Sequence, residues 1–285
     1  MKHRIDPKID CVFKALLGSE ENRNLLIHFL NAVLAGELSA PIATVDLLNP
    51  YNDKEFLDDK LSIVDVKAKD DKDRIYQIEI QLVSYSYLPA RILYTWADIY
   101  SQQLQSGNDY LKLKPTYSIW LLGENLIQDD KEYAHTYQLR DAKGKTLIDH
   151  GGIWLLELKK FAAQQIENDQ QRWLQFFKKG DQFDDETNLP DWMNTPEMRQ
   201  AMSTLRQFSE KERNYHAYQA RQNYLRQQRT MQLELEEALQ RETTALKEKE
   251  AAMQRETVAL KEKEAALAEI ERLKALLNHE ASQSG

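Results

Sequence analysis

The length, composition and charge of the chain exclude several classes of protein. Its 285 residues allow one large domain or one domain with an extension, and 42% hydrophobic with 9% aromatic residues is not a disordered composition. The single cysteine, Cys11, cannot form an intrachain disulfide, and no His/Cys cluster has the spacing of a zinc site. The start is charged, and no apolar run approaches the roughly 18 residues that cross a bilayer. We therefore expect a soluble cytoplasmic protein with no membrane partner.

The charge of the chain is not that of a typical nucleic-acid-binding protein. The net charge is −8, and residues 1–150 carry 18 Lys and Arg against 23 Asp and Glu. Because phosphate backbones are normally bound by clustered Lys and Arg, any contact with DNA must be local or assisted by a metal ion.

Apolar residues at helical spacing predict two helices in the first half of the chain. The first covers residues 22–35 and ends at Gly36, and the second covers residues 90–105, after Pro89 and before Gly107. Ahead of them, residues 10–18 form a shorter apolar-faced turn or helix that ends at Gly18.

Clusters of β-branched and apolar residues predict the strands. They cover residues 42–48, 61–68, 75–83, 116–122, 134–139 and 153–158. The order helix, three strands, helix, strand predicts an α/β layer architecture with a mixed sheet, in which the hairpin 61–83 lies near the centre.

From about residue 160 the composition shifts to Gln, Glu, Lys and Arg, and residues 209–281 contain neither Gly nor Pro. Residues 240–253 and 254–267 are a tandem repeat of fourteen residues, or two heptads. Apolar residues recur every seventh position from Leu239 to Leu267, but Thr and Glu fill the complementary core position. Such a helix either associates with itself or stays single and solvated. We therefore predict an α/β domain (1–160), a helical connection (161–208) and a charged helical tail (209–285).

The predicted hairpin brings two carboxylates together. Side chains alternate between the faces of a strand, and a register that pairs Asp65 with Glu79 also pairs Lys67 with Gln77. The repulsion between two close carboxylates is relieved by protonation, by a basic partner or by a bound cation. Asp65, Glu79 and a main-chain carbonyl near Ile80 suit Mg²⁺. The alternative is that both acids pair with Lys67, Lys69 or Arg91 on a solvated face of the sheet.

Several blocks of sequence resemble the Rpn recombination-promoting nuclease and putative transposase family, which belongs to the PD-(D/E)XK nuclease superfamily. The resemblance covers roughly residues 3–160. Its blocks are DCVFKALLG at 10–18, LLIHFLN at 25–31, LSIVDVKA at 61–68, YQIEIQ at 76–81, RILY at 91–94 and GNDY at 107–110. The resemblance implies a restriction-endonuclease-like core, in agreement with the pattern of helices and strands.

The resemblance also implies roles for individual residues. Asp65 would be the central metal-binding aspartate, Glu79 the second acidic ligand, and Asp10 the acidic residue of the first helix. Gln81 stands where the superfamily usually has a catalytic lysine; it cannot supply a positive charge, but it can position water or phosphate. Lys14 is a candidate for phosphate contact, although an isolated cation of this kind is more often solvated or in an ion pair.

These observations lead to one principal hypothesis and two alternatives. The first is a Mg²⁺-dependent DNA endonuclease that acts in recombination, transposition or defence, and assembles as a homo-oligomer through its C-terminal helix. The second is a catalytically degenerate module that binds nucleic acid or protein, and the third is a chiefly structural coiled-coil protein.

Some tyrosines could stack on unpaired bases, although packing in a core or interface is the commoner role. These are Tyr76, Tyr85, Tyr87 and Tyr94. We assign no catalytic role to His28, His135 or Cys11.

Overall fold

The computed structural model describes residues 3–50, 64–104, 107, 109–183 and 189–283, without the side chains of 262 and 275–283. The chain divides into two compact units, Met1–Arg226 and Gln227–Gly285. Among the helices of these described ranges, none combines the length and apolar character needed to cross a membrane.

The first unit is built on a mixed sheet, which in the described ranges has six strands. They are β1 Val45–Leu47, β2 Val66–Asp70, β3 Ile75–Gln81, β4 Thr116–Leu122, β5 Ala134–Tyr137 and β6 Gly151–Glu157. Their spatial order is β1-β2-β3-β4-β6-β5. The adjacent strands β3, β4 and β6 are parallel to one another, whereas β1–β2, β2–β3 and β5–β6 pair in antiparallel fashion. The predicted α/β fold with a mixed sheet is therefore confirmed.

Helices cover both faces of this sheet. They are α1 Asp10–Leu17, α2 Arg23–Val33, α3 Leu88–Ser101, α4 Asp169–Lys179, α5 Pro196–Glu210 and α6 Glu212–Gln283. The larger core joins α1, α2, α4 and α5 to one face of the sheet, through residues such as Phe13, Phe29 and Trp173. On the opposite face, α3 packs through Leu88 and Ile92 against Trp120 and Leu155. The acidic hairpin β2–β3 thus lies between two helical layers.

The register of the hairpin agrees with the prediction from alternation. Lys67 pairs with Gln77 and Lys69 with Ile75, while residues 61–63 of the predicted strand lie outside the described residues. The first strand is shorter than predicted, and Asn31 supplies the reason. Its side chain bonds both the N–H and the C=O of Ile42, at 2.7 and 2.9 Å. Ile42 therefore satisfies its backbone groups with a helix side chain instead of a neighbouring strand.

Candidate active site

Asp65 lies immediately before β2, at the end where the strand meets the second half of β3. Since Val66 pairs with Ile78, the next step of the antiparallel register places Asp65 opposite Glu79. Asp65 Oδ2 accepts a hydrogen bond from the Ile80 N–H at 3.0 Å, and Lys14 Nζ of α1 lies 3.2 Å from Asp65 Oδ1. The hairpin and the first helix therefore hold this carboxylate in one orientation.

Glu79 is the most strongly perturbed group of the site. Its side chain is only 4% exposed, and no described donor makes a hydrogen bond to its Oε1. Burial raises the pKa of Glu79 well above its ordinary value, and the charge of Asp65 and a hydrogen bond between the two carboxyls raise it further. Arg91 and Lys14 act in the opposite direction, but the Arg91 guanidinium is 3.9 Å from Glu79 Oε2. Protonation of Glu79, or a cation closer to it than Arg91, would offset the cost of burying this carboxylate next to Asp65.

The main-chain carbonyl of Ile80 faces the same side as the two carboxylates. In a strand the N–H and C=O of one residue point to the same neighbour, and the Ile80 N–H is directed at Asp65. The next residue faces the other way, because the carbonyl of Gln81 accepts from the Gly123 N–H at 2.8 Å. A third oxygen donor is thus available beside Asp65 and Glu79.

Gln81 fixes the position of an arginine. Its Oε1 accepts from Arg91 Nη1 at 2.9 Å, and its Nε2 donates to the carbonyl of Val83 at 2.7 Å. The Arg91 guanidinium also lies 5.4 Å from the centre of the Trp120 ring. Arg91 of α3 therefore brings a positive charge next to Gln81, whose own side chain has none. Of the alternative basic partners, Arg91 lies 3.9 Å from Glu79, whereas Lys69 pairs with Asp73 at 2.9 Å. The face around Glu79 is not solvated, since Glu79 is buried.

Asp10 lies one turn before Lys14 on α1 and pairs with an arginine from α6. Arg221 Nε is 3.0 Å from Asp10 Oδ1. Helix α1 thus carries one acid paired with Arg221 and, one turn later, a lysine paired with Asp65. Arg221 could not be predicted from the sequence, because a contact between the first and the last helix of this unit leaves no trace in local spacing.

The oxygen donors suit a hard divalent cation. Within the described residues, no group of three or more His, Cys, Asp and Glu side chains lies close enough to bind a metal ion. Two carboxylates and one carbonyl nevertheless match Mg²⁺, which keeps several waters in its coordination shell. The buried, unpartnered Oε1 of Glu79 provides the observation that a cation would explain.

Other titratable side chains have structural partners. The Asp70 carboxylate binds Arg74 Nε at 2.6 Å and the Tyr76 hydroxyl at 2.8 Å. His28 Nδ1 accepts from Trp173 Nε1 at 3.0 Å, and His135 Nε2 lies 3.3 Å from buried Glu157. Burial, followed by the charge of Asp10, raises the pKa of the Cys11 thiol to about 11, so this thiol stays protonated at neutral pH.

Comparison with known proteins agrees with this geometry. The family model described as PD-(D/E)XK nuclease family transposase matches residues 7–238. The chain belongs to this family. No curated protein and no solved structure matches the chain. The match to the PD-(D/E)XK family confirms the resemblance found in the sequence and a nuclease- or transposase-like role. It also includes α4, α5 and the start of α6 with Arg221, and it ends at residue 238, just before the tandem repeat.

Proposed function

We propose that the protein is a divalent-metal-dependent DNA endonuclease that hydrolyses phosphodiester bonds. The observation that carries this proposal is the pair Asp65 and Glu79, held opposite each other with the Oε1 of Glu79 buried and without a hydrogen-bond donor. Both acids lie within residues 1–160, which we propose as the nuclease domain, and PD-(D/E)XK nucleases generally use divalent cations.

Each residue of the site has a proposed role. Asp65, Glu79 and the main-chain carbonyl of Ile80 hold the cation, which we expect to be Mg²⁺ because all three donors are oxygen. Such a cation lowers the pKa of water and stabilises negative charge on phosphorus. Lys14 neutralises Asp65 when no cation is bound, and it can turn to a phosphate oxygen when the cation takes its place.

Gln81 and Arg91 act as a unit in this proposal. Gln81 holds Arg91 at 2.9 Å, so the guanidinium is oriented for a phosphate oxygen at a position where the superfamily usually places a lysine. The second lone pair of Gln81 Oε1 can accept a hydrogen bond from the attacking water. Asp10 pairs with Arg221 and lies one turn before Lys14, so we propose that it positions these two cations instead of binding the metal.

Cleavage of a supercoiled plasmid tests the proposal. We expect nicking by the wild-type protein in Mg²⁺ and none in EDTA, with activity reduced about 100-fold or more in Asp65→Asn and Glu79→Gln. Asp109→Asn is the matched control, because exposed Asp109 caps a short turn that Asn also caps. Intact plasmid under all conditions, with all proteins folded, would favour a non-catalytic module that binds nucleic acid or protein.

The assembly of the chain is part of the proposal. Apolar side chains at every seventh position of α6 are half exposed in the single chain, at 52–59%. They are Leu239, Leu246, Met253, Leu260 and Leu267. A second copy of the same helix would cover this stripe, and the nuclease domains would then act as a homo-oligomer. The family resemblance supports the proposal that such an enzyme acts in DNA recombination, transposition or defence.

A further inference from the structure

An aromatic surface is formed in the loop that follows the acidic hairpin. Tyr85 and Tyr87 lie in the loop between β3 and α3, and their rings stack with centres 5.3 Å apart and planes 4° from parallel. Tyr87 is 59% exposed. A ring this exposed contributes little to a hydrophobic core, so packing alone does not account for its orientation.

The loop that carries these rings is fixed to the site at both ends. Its first part is held by the bond from Gln81 to the carbonyl of Val83 and by the Ser84 N–H, which donates to Glu124 at 2.9 Å. Its last part leads into α3, which carries Arg91 one turn later. The two tyrosines therefore lie between Gln81 and Arg91 along the chain.

Helix α6 contributes a third ring and a cation to the same surface. The guanidinium of Arg221 lies over the ring of Tyr224, 4.7 Å from its centre, and Tyr224 is 46% exposed. Both residues interact electrostatically with Tyr85. Burial and then the neighbouring tyrosines Tyr87 and Tyr224 raise the pKa of Tyr85, while the charge of Arg221 lowers it. Since Arg221 also pairs with Asp10, this surface and the acidic site share a residue.

We propose that Tyr85, Tyr87, Tyr224 and Arg221 form a platform that binds unpaired nucleotides of a DNA strand beside the acidic site. Bases stack on the exposed rings, and Arg221 contacts a phosphate. This inference rests on the proposed nuclease function and adds its substrate class, DNA with a single-stranded or locally opened segment. Bases within a duplex have their faces covered by neighbouring base pairs, whereas an unpaired base exposes a face to an aromatic ring.

The charge of the protein supports stacking as the main source of affinity. At a net charge of −8, the chain as a whole repels a polyanion, so attraction by Arg221 is local. Stacking of a base on an aromatic ring does not depend on salt in the way that phosphate contacts do. A preference for bases over bare backbone is therefore the property that identifies this surface.

The test compares two labelled strands of equal length, oligo-dT and an abasic strand with the same backbone. Fluorescence anisotropy in EDTA measures binding without cleavage. We expect wild-type protein to prefer oligo-dT by about tenfold or more, Tyr87→Ala and Tyr224→Ala to lose most of that preference, and Tyr87→Phe to retain it. Tyr137→Ala, at a tyrosine of β5 with the same 46% exposure as Tyr224, should bind as the wild type does.

Equal affinity of the wild-type protein for the two strands would overturn the proposal, and so would a preference that Tyr87→Ala and Tyr224→Ala leave intact. The thermal midpoint of each variant shows whether it folds, and Tyr87→Phe reports on the ring alone. Binding is measured without metal, so the two proposals can fail separately. A protein that prefers bases but does not cut plasmid would support the platform and contradict the nuclease proposal. A protein that cuts plasmid without preferring bases would support the nuclease proposal and contradict the platform.

Discussion

At the scale of single residues, the protonation of Glu79 links the stability of the protein to the proposed metal site. Burial and the nearby charge of Asp65 raise the pKa of Glu79 above its ordinary value of 4.5. Between that value and the raised one, the folded protein keeps a proton that the unfolded chain has lost. Stability without metal is therefore highest below pH 4.5 with respect to this group, and falls as the pH rises through the raised pKa.

The substitution Glu79→Gln tests how the charge of this side chain affects stability with and without metal. Glutamine keeps the size of the side chain and removes its charge, so we expect the variant to melt about 2–4 °C above wild type at pH 8 in EDTA, the change that roughly 1 kcal/mol produces in a unit of this size. At pH 4.5 the difference should shrink. Addition of Mg²⁺ should raise the midpoint of the wild-type protein but not that of the variant.

Glu21→Gln is the matched control for this measurement, since exposed Glu21 precedes α2 and undergoes the same chemical change. It should leave the pH dependence and the response to Mg²⁺ unaltered. A Glu79→Gln protein that is less stable than wild type at pH 8 in EDTA would show that the charged form of Glu79 is favoured in the fold, against the burial argument.

At the scale of elements, the β2–β3 turn depends on one carboxylate. Asp70 accepts from the N–H groups of Lys72 and Arg74, at 3.0 and 2.9 Å, and forms a buried ion pair with the Arg74 side chain. Removal of one member of such a pair leaves a buried charge without its partner. We expect Asp70→Ala to lower the free energy of unfolding by about 3 kcal/mol in urea titration. The loss should occur with or without Mg²⁺, because Asp70 is not part of the proposed metal site.

A neighbouring aspartate provides the comparison. Asp73 pairs with Lys69 at the surface and adopts a positive φ of 60°, which Asn tolerates as well as Asp. A surface ion pair contributes little to stability because solvent screens it, so Asp73→Asn should cost much less than Asp70→Ala. Similar losses in the two variants would mean that the turn, and not the buried pair, limits stability.

The elements of this fold were predictable to different degrees. Local periodicity was sufficient for α1, α3 and β4, and alternation gave the pairing of Lys67 with Gln77, because these patterns follow directly from the geometry of a helix or strand. The packing of α4 and α5 on the first two helices was not predictable in this way, nor was the pairing of Arg221 with Asp10. These contacts join distant segments and depend on the complete core. The placement of Asp65 opposite Glu79 could therefore be predicted from the sequence, whereas the contact of Arg221 with Asp10 could not.

At the scale of the whole molecule, the tandem repeat provides the clearest test of assembly. A seam with apolar residues at only one of its two core positions should associate weakly. We expect the full chain to show a concentration-dependent mass in sedimentation equilibrium. The double substitution Leu246→Gln with Leu260→Gln should shift it to monomer, whereas Ala251→Gln with Ala265→Gln should not, since these residues lie about 140° around the helix from the stripe. Glu250→Leu with Glu264→Leu completes the seam and should strengthen association. A monomer at every concentration, unchanged when the seam is completed, would show that α6 stays a single solvated helix.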